Sequence, residues 1–416
     1  MFDADVLVVG AGAAGLGAAR ALAEAGRRVL VVEARDRIGG RLWTDRARMP
    51  VPVELGAELV HGSRVSTWPL LRRVRTRALG AYLRRTADAR WISENSRRVW
   101  HMPHGRPAHD GPVPEPLPGE DAESYLTRAG LPRGNLPLAV LAMEADLGSL
   151  REQPAGEGVL LAEALLNGRL PDLTWREGGD FRVLGGYDQV LAPLAAGLDV
   201  RTGVAVRRIE HGPDGVALHT ADDTVLRGRR CVLTLPLGVL RAGSVEFTPP
   251  LPEDRRRALE SLHPLPVAKI LLEFPRPVLP RRGRAFADFS DGPCAVWDAS
   301  AGIRGYRGQV VVTWAVGEAA RELWALPADR RAHQALLAVR RISGRPEIRH
   351  TRALWHDWAS DPFALGAYVL RPEPGAARLV TAPLGETVAW GGVIESTVDS
   401  ALDSGRAAAK WVLARS

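Results

Sequence analysis

Four residues near the start of the chain, Gly10, Gly12, Gly15 and Glu33, have the types and spacing to hold a dinucleotide. Gly10 makes the tight turn after the apolar run 6–9, and Gly12 offers no Cβ to block a pyrophosphate. Gly15 lets the next helix sit close to the strand. Ala14 falls on the first turn of that helix, whose N–H groups and dipole face phosphate. Glu33 ends the second apolar run, about 20 residues further on, where an acid accepts from a ribose hydroxyl. Lys269 is a different kind of candidate. The 55 basic residues include two lysines, Lys269 and Lys410, and hence 53 arginines. A lysine kept inside Val267-Ala268-Lys269-Ile270-Leu271-Leu272 suits a task closed to arginine, such as titrating or holding one water with a compact ammonium. The alternative is a strand-end lysine that snorkels to solvent.

These residues need a frame to position them. The spacing predicts a buried strand over 6–9, a helix through Ala25 stopped by Gly26, and a strand ending at Val32. Residues 61–177 read as irregular and helical. Within them His101, His104 and His109 and the proline-rich stretch to Leu117 read as a solvated loop, because no acid or cysteine stands at a ligand spacing that would make a metal site. Strand patterns return at 204–209, 216–219 and 231–235, and those at 267–274 and 309–316 look like a second sheet. A strand over 387–390 and a helix from about Val398 close the chain. An early phosphate unit completed by late segments predicts an α/β fold in which two domains interleave. Residues 1–60, 178–260 and 365–416 form a Rossmann-like nucleotide domain. Residues 61–177 and 261–364 form an α+β domain of mixed sheet plus helices.

Composition narrows the classes. The net charge of +7 is spread along the chain without a dense basic block or interleaved aromatics, which argues against nucleic acid. Two cysteines, Cys231 and Cys294, make no disulfide framework and fit a reducing compartment. The apolar start carries Asp3 and Asp5 rather than a basic region, so it is not read as a secretory signal. No segment has the roughly 18 uninterrupted apolar residues of a membrane span. The expectation is a soluble, cytoplasmic protein without a metal, a nucleic-acid partner or a membrane anchor, either monomer or homodimer.

Beyond Glu33 the motifs become specific. Gly39-Gly40-Arg41 is followed by Glu54-Leu55-Gly56-Ala57-Glu58-Leu59-Val60-His61-Gly62. Then come Leu184-Gly185-Gly186-Tyr187, Thr234-Leu235-Pro236-Leu237-Gly238, Ala268-Lys269-Ile270, Trp358-Ala359-Ser360-Asp361-Pro362, Ala367-Tyr368 and Ser404-Gly405-Arg406. In this order the chain resembles the flavin-dependent amine oxidases: monoamine oxidases, polyamine oxidases and lysine-specific histone demethylases, with the polyamine oxidases nearest. The resemblance covers most of the chain and spares the loops at roughly 85–175 and 280–345. It implies FAD bound by Gly10, Gly12, Ala14, Gly15, Glu33, Ala34, Arg35, Gly39, Gly40, Arg41, Leu55, Gly56, Ala57, Glu58, Val206, Thr234, Trp358, Gly391, Gly392, Thr397 and Val398. Arg41 would hold pyrophosphate and flavin, a backbone group of Val206 would meet the adenine, and residues 55–58 would wrap the flavin ring. The helix opening at Thr397-Val398 would aim its dipole at the flavin N1/C2 region.

The resemblance also implies the catalytic set. Lys269 would hold a water near flavin N5, Tyr368 and Trp358 would wall an apolar slot, and Thr397 would widen it. Trp358 is equally a core residue on this reading. His61 would contact the substrate amine. Ala367 stands where monoamine oxidases carry the cysteine that binds flavin, so the FAD is expected to be non-covalent. The implied reaction is hydride transfer from the carbon α to a primary or secondary, polyamine-like amine to flavin N5. Reoxidation by O2 gives H2O2, and the imine hydrolyses to an aldehyde. Free amines have a pKa near that of lysine, about 10.4, and an apolar slot favours the neutral form. Two departures stand out: the family's Gly-Glu-Ala before the last helix reads Gly391-Gly392-Val393 here, and the loop that follows is shorter, with Glu395 a candidate replacement. An L-amino-acid oxidase, an FAD-dependent desaturase and a non-catalytic flavin scaffold or redox sensor remain as alternatives.

Overall fold

The structure is a computed structural model. It describes residues 2–62, 64–74, 78–81, 90–93, 98–101, 114–130, 150–151, 153, 155–156, 180–279, 286–288, 294–369 and 374–415. Its larger sheet has eight strands, with Asp199–Arg201, Val29–Val32, Ala4–Val9 and Val225–Leu233 side by side and parallel. The chain's late strand Val388–Trp390 also runs parallel to Val225–Leu233. An antiparallel extension, Gly215–Thr220 and Val206–Gly212, ends in Glu246–Thr248.

The apolar residues of the parallel strands explain their place. Leu7, Val8, Val31, Val232 and Leu233 are fully enclosed because helices or the second apolar layer cover both faces. On one face the helices Ala13–Glu24 and Val398–Leu413 cross, and small residues set their spacing. A Cβ added at Gly405 would lie 1.9 Å from the Ala14 carbonyl oxygen, and one at Gly17 would lie 2.6 Å from a Leu402 methyl. The last helix thus seals the first βαβ unit. That contact joins the two ends of the chain.

The second sheet is antiparallel, in the order Phe286–Asp288, Cys294–Asp298, Gln309–Val316, Val267–Phe274, Arg352–Trp355. One face packs on the helix Ala328–Ser343 through Ile270, Leu272, Leu336 and Val339. The other, with Leu271, Val310 and Val312, packs on Met49, Val51 and Val53. The expected strands at 267–274 and 309–316 are therefore found as read.

Two expectations need correction. Residues 61–177 contain, besides the helices Trp68–Arg73 and Ala122–Arg128, the strands Ala78–Ala81, Arg90–Ser93 and Arg98–His101. His101 accordingly ends a strand of a two-stranded hairpin instead of lying in a loop, paired with Arg90. Trp91, Ile92, Val99 and Trp100, aromatic and β-branched residues on either side of a polar Asn/Ser stretch, are the strand signal that the proline-rich stretch following His101 obscured. His104 and His109 lie outside the described residues. The strand Leu59–His61 pairs antiparallel with Asp180–Val183.

Candidate cofactor and active site

The dinucleotide end is built from close backbone approaches. A Cβ on Gly15 would lie 1.8 Å from the Gly10 carbonyl oxygen, and one on Gly10, whose φ is +99°, would lie 2.5 Å from the Thr234 hydroxyl. Thr234 uses that hydroxyl to donate to the Val9 carbonyl at 2.7 Å, which ties the end of strand Val225–Leu233 to the glycine turn. Gly39 donates to the Ala11 carbonyl at 2.8 Å and bridges Gly12, so the Gly39-Gly40 turn sits directly over the first one. Glu33 is buried and accepts from the Ala11 amide at 2.8 Å and the Arg35 amide at 3.0 Å. Its carbonyl accepts from the Val204 amide at 2.8 Å, which brings the segment leading into Val206 alongside. Ala34 lies between Glu33 and Arg35 on the same turn.

These residues fit a dinucleotide. The helix Ala13–Glu24 starts at Gly12 with no side chain capping its first N–H groups, as a phosphate-binding helix start requires. Arg41 is half-buried, and burial holds its pKa below the ordinary arginine value. It donates to two neutral acceptors, the carbonyls of Ala367 and of Gly392, the latter at 3.3 Å. A cation so placed, with no carboxylate hydrogen-bonded to it among the described residues, suits the anionic diphosphate and flavin of FAD.

From Arg41 the chain continues into a hairpin, Thr44–Asp45 against Val53–Glu54, that delivers residues 55–58 to the same region. Gly56 packs so tightly that a Cβ there would lie 1.8 Å from the Arg41 carbonyl oxygen and 3.2 Å from the Trp358 ring. Trp358 is 5% exposed and donates its indole N–H to the Leu55 carbonyl at 2.9 Å, so it props this strip from behind. Its ring meets His356 edge-on, and His356 bonds Asp361, which also accepts from Arg35 at 2.6 Å. Burial pushes the Asp361 carboxyl up, but the bonds from His356 and Arg35 and the charge of Arg35 outweigh it and hold it well below the usual range.

Lys269 reaches this strip from the second sheet. Its Nζ lies 2.6 Å from Glu58 Oε2 and 3.3 Å from the Gly56 carbonyl, and the residue is 8% exposed. Trp297 donates its indole N–H to the other Glu58 oxygen at 3.0 Å. Burial alone would raise the Glu58 carboxyl, but Lys269, Arg182 and Trp297 hold it below the usual range. Glu54 goes the other way. Burial pushes it up to about 7, against the Tyr187 amide at 2.7 Å, the Lys269 charge and the Thr44 hydroxyl.

The remaining candidates are spread around this centre. Tyr368 is half-buried; its carbonyl accepts from the Leu265 amide at 2.8 Å, just before the Lys269 strand, while Arg41 holds the neighbouring Ala367. His61 is half-buried in the strand Leu59–His61. Thr397 caps the last helix, accepting from the Ser400 amide at 3.2 Å in a reciprocal capping box, and Val398 is buried behind it. Gly392 has φ +73°, and a Cβ there would lie 2.7 Å from the Ala14 methyl. That position tolerates no side chain. Gly391 lies against the backbone of Gly405, and Glu395 accepts from the Ile394 amide at 3.0 Å. Glu58 as an ion-pair partner, Glu54, Arg182 and Trp297 were not singled out by sequence for these contacts, since each is joined to its partner only by tertiary folding.

A parallel sheet carrying a glycine-turn nucleotide site is joined to an antiparallel sheet that supplies a buried lysine, an arrangement suited to a dinucleotide-dependent oxidoreductase. A family model described as flavin containing amine oxidoreductase matches residues 13–413, and the chain belongs to that family, whose cofactor is FAD. Among its relatives, polyamine oxidase 4 of Oryza sativa subsp. japonica is 28% identical over 436 residues, covering 97% of this chain and 88% of that protein. Lysine-specific histone demethylase 1 homolog 2 of the same species is 30% identical over 391 residues, 88% of this chain and 50% of that protein. Lysine-specific histone demethylase 2 of Homo sapiens is 25% identical over 398 residues, 88% of this chain and 47% of that protein. The chain spans about half the length of the demethylases it matches. Among solved structures, putrescine oxidase bound to putrescine superposes with a TM-score of 0.77 at 21% identity over 99% of each chain. Cyclohexylamine oxidase from Brevibacterium oxydans IH-35A gives 0.76 at 20% identity over 99% of this chain and 98% of that one. These structural matches show the shared fold.

Proposed function

We propose that this chain is a non-covalent FAD amine oxidase acting on small primary or secondary amines of the polyamine kind, with O2 as the second substrate. The observation that carries the reading is the meeting of Lys269 with the Gly56-Ala57-Glu58 strip, 2.6 Å from Glu58 Oε2. When bound, FAD supplies the two-electron acceptor that the reaction needs. Gly10, Gly12, the open start of the first helix and Glu33 would hold its adenosine diphosphate half, and Arg41 would sit under the pyrophosphate and flavin. Residues 55–58, held by Trp358, would line the ring. Lys269 would position a water or oxygen beside the strip, and Tyr368 would wall the slot where an amine sheds its proton.

Both the polyamine oxidases and the demethylases among the relatives act on amines by name, which supports the amine class. Cys231 is fully enclosed in the strand Val225–Leu233, which leaves it no route to a flavin. The interleaved nucleotide and substrate domains are part of the same proposal, supported by the two separate sheets. Among the described residues no helix is long and apolar enough to cross a membrane, and no group of acids, cysteines and histidines could hold a metal. Replacing Lys269 by Met tests the role given to it. Stopped-flow mixing of the reduced variant with O2 is expected to show reoxidation or turnover at least tenfold slower with FAD retained; wild-type rates in both steps would remove Lys269 from the mechanism.

A further inference from the structure

Glu58 is not explained by cofactor wrapping. It is an acid, 7% exposed, set in a strip whose other members are Leu55, Gly56 and Ala57, and it spends both carboxylate oxygens on partners from the second sheet. Oε2 takes the Lys269 ammonium at 2.6 Å and Oε1 the Trp297 indole at 3.0 Å. Lys269 lies on Val267–Phe274, and Trp297 two strands away on Cys294–Asp298, so one carboxylate bridges the sheet across the intervening strand Gln309–Val316. The ammonium also lies 5.9 Å from the centre of the Trp297 ring. The three side chains form a closed triangle of contacts.

We infer that Glu58 is the positioning residue of Lys269: its carboxylate fixes the direction of the ammonium along the 55–58 strip, with Trp297 locking the carboxylate in turn. A buried ammonium without a counter-charge loses its proton or swings toward solvent, and a lysine stem has four rotatable carbons with which to do so. Other charged groups face the pair. Glu54 lies on the same hairpin, Arg182 on Asp180–Val183 and Asp298 at the end of the Trp297 strand. Arg182 is itself spent on the carbonyls of Asp298, Ala299 and Ala301, and Asp298 on Ser300 and Gln309. Glu58 is thus the acid that contacts Lys269. The inference rests on the amine-oxidase reading for what the lysine does, but the pair itself is testable without turnover.

The composition makes the test direct. Only two lysines exist, and Lys410 is exposed on the last helix, so lysine labelled with 15N at Nζ gives two ammonium signals in the FAD-loaded protein. Lys269→Met identifies one by its loss. The Lys269 ammonium protons are expected to exchange with water at least tenfold more slowly than those of Lys410. In Glu58→Gln, which keeps shape and burial, that protection falls at least tenfold, whereas Trp297→Phe gives a smaller loss. For an amine that is turned over, kcat in Glu58→Gln drops at least tenfold with KM within twofold. Equal exchange at the two lysines of the wild-type protein overturns the inference even if Glu58→Gln does not fold. So does a folded Glu58→Gln with Lys269 protection unchanged. Protection lost in the variant of a protein that oxidises no amine leaves the pair standing and removes the functional reading alone.

Discussion

At the scale of single residues, the buried acids divide by their partners. Glu58 meets a cation directly and stays charged. Glu54 accepts from a backbone amide and a hydroxyl, and burial wins, pushing it up to about 7. A carboxyl whose pKa is raised on folding lends stability below its unfolded value, near 4.5, and loses it as pH rises through its folded value. Glu54→Gln is therefore expected to gain on the wild type by up to about 3 kcal/mol between pH 4.5 and 8, read from urea midpoints. Parallel pH profiles for the two proteins would show that Glu54 carries no such burden. Lys269 was legible in sequence because almost every other basic residue had become arginine. Its partner was not, because Glu58 and Lys269 are 211 residues apart and meet only when the two sheets pack. Gly392, where the family pattern breaks, has a local reason: a left-handed backbone pressed on Ala14, with its carbonyl taken by Arg41.

At the scale of elements, the nucleotide unit was readable because a strand, a glycine turn, a helix and an acid follow one another within 33 residues and need no distant partner. The paired strands Arg90–Ser93 and Arg98–His101 were missed because they are short, lie among charges and run straight into a proline-rich stretch. The crossing of the first and last helices was only half visible: Ser404-Gly405-Arg406 was recognised as a motif, but not that Gly405 lies on the Ala14 carbonyl. Gly405→Ala would put a methyl 1.9 Å from that oxygen, so the helices must part. The expected cost is about 3 kcal/mol, with weaker FAD retention because Ala14 moves with the first helix. An unchanged melting temperature and full flavin content after gel filtration would contradict this packing. Thr397, whose side chain closes the capping box, is expected to cost about 1 kcal/mol when replaced by Ala and little when replaced by Ser.

At the scale of the whole molecule, the chain works by bringing distant segments to one line of contact. Residues 39–43 and 55–58 supply the strip, Lys269 comes from the antiparallel sheet, and Ala367 and Gly392 close on Arg41 from the last quarter of the chain. With Ala367 preceding Tyr368 and Cys231 sealed in the sheet, acid precipitation of the yellow protein is expected to leave the flavin in the supernatant; flavin in the pellet would contradict a non-covalent site. The central claim, that this strip and its lysine serve amine oxidation, is tested most directly by the flavin itself. The purified protein is mixed without oxygen with polyamines, monoamines, L-amino acids and a methyl-lysine peptide, and the flavin absorbance is followed. The account predicts bleaching by polyamines or related small amines and recovery of the colour on admitting air. Bleaching by amino acids alone, or by none of the amines, would contradict it.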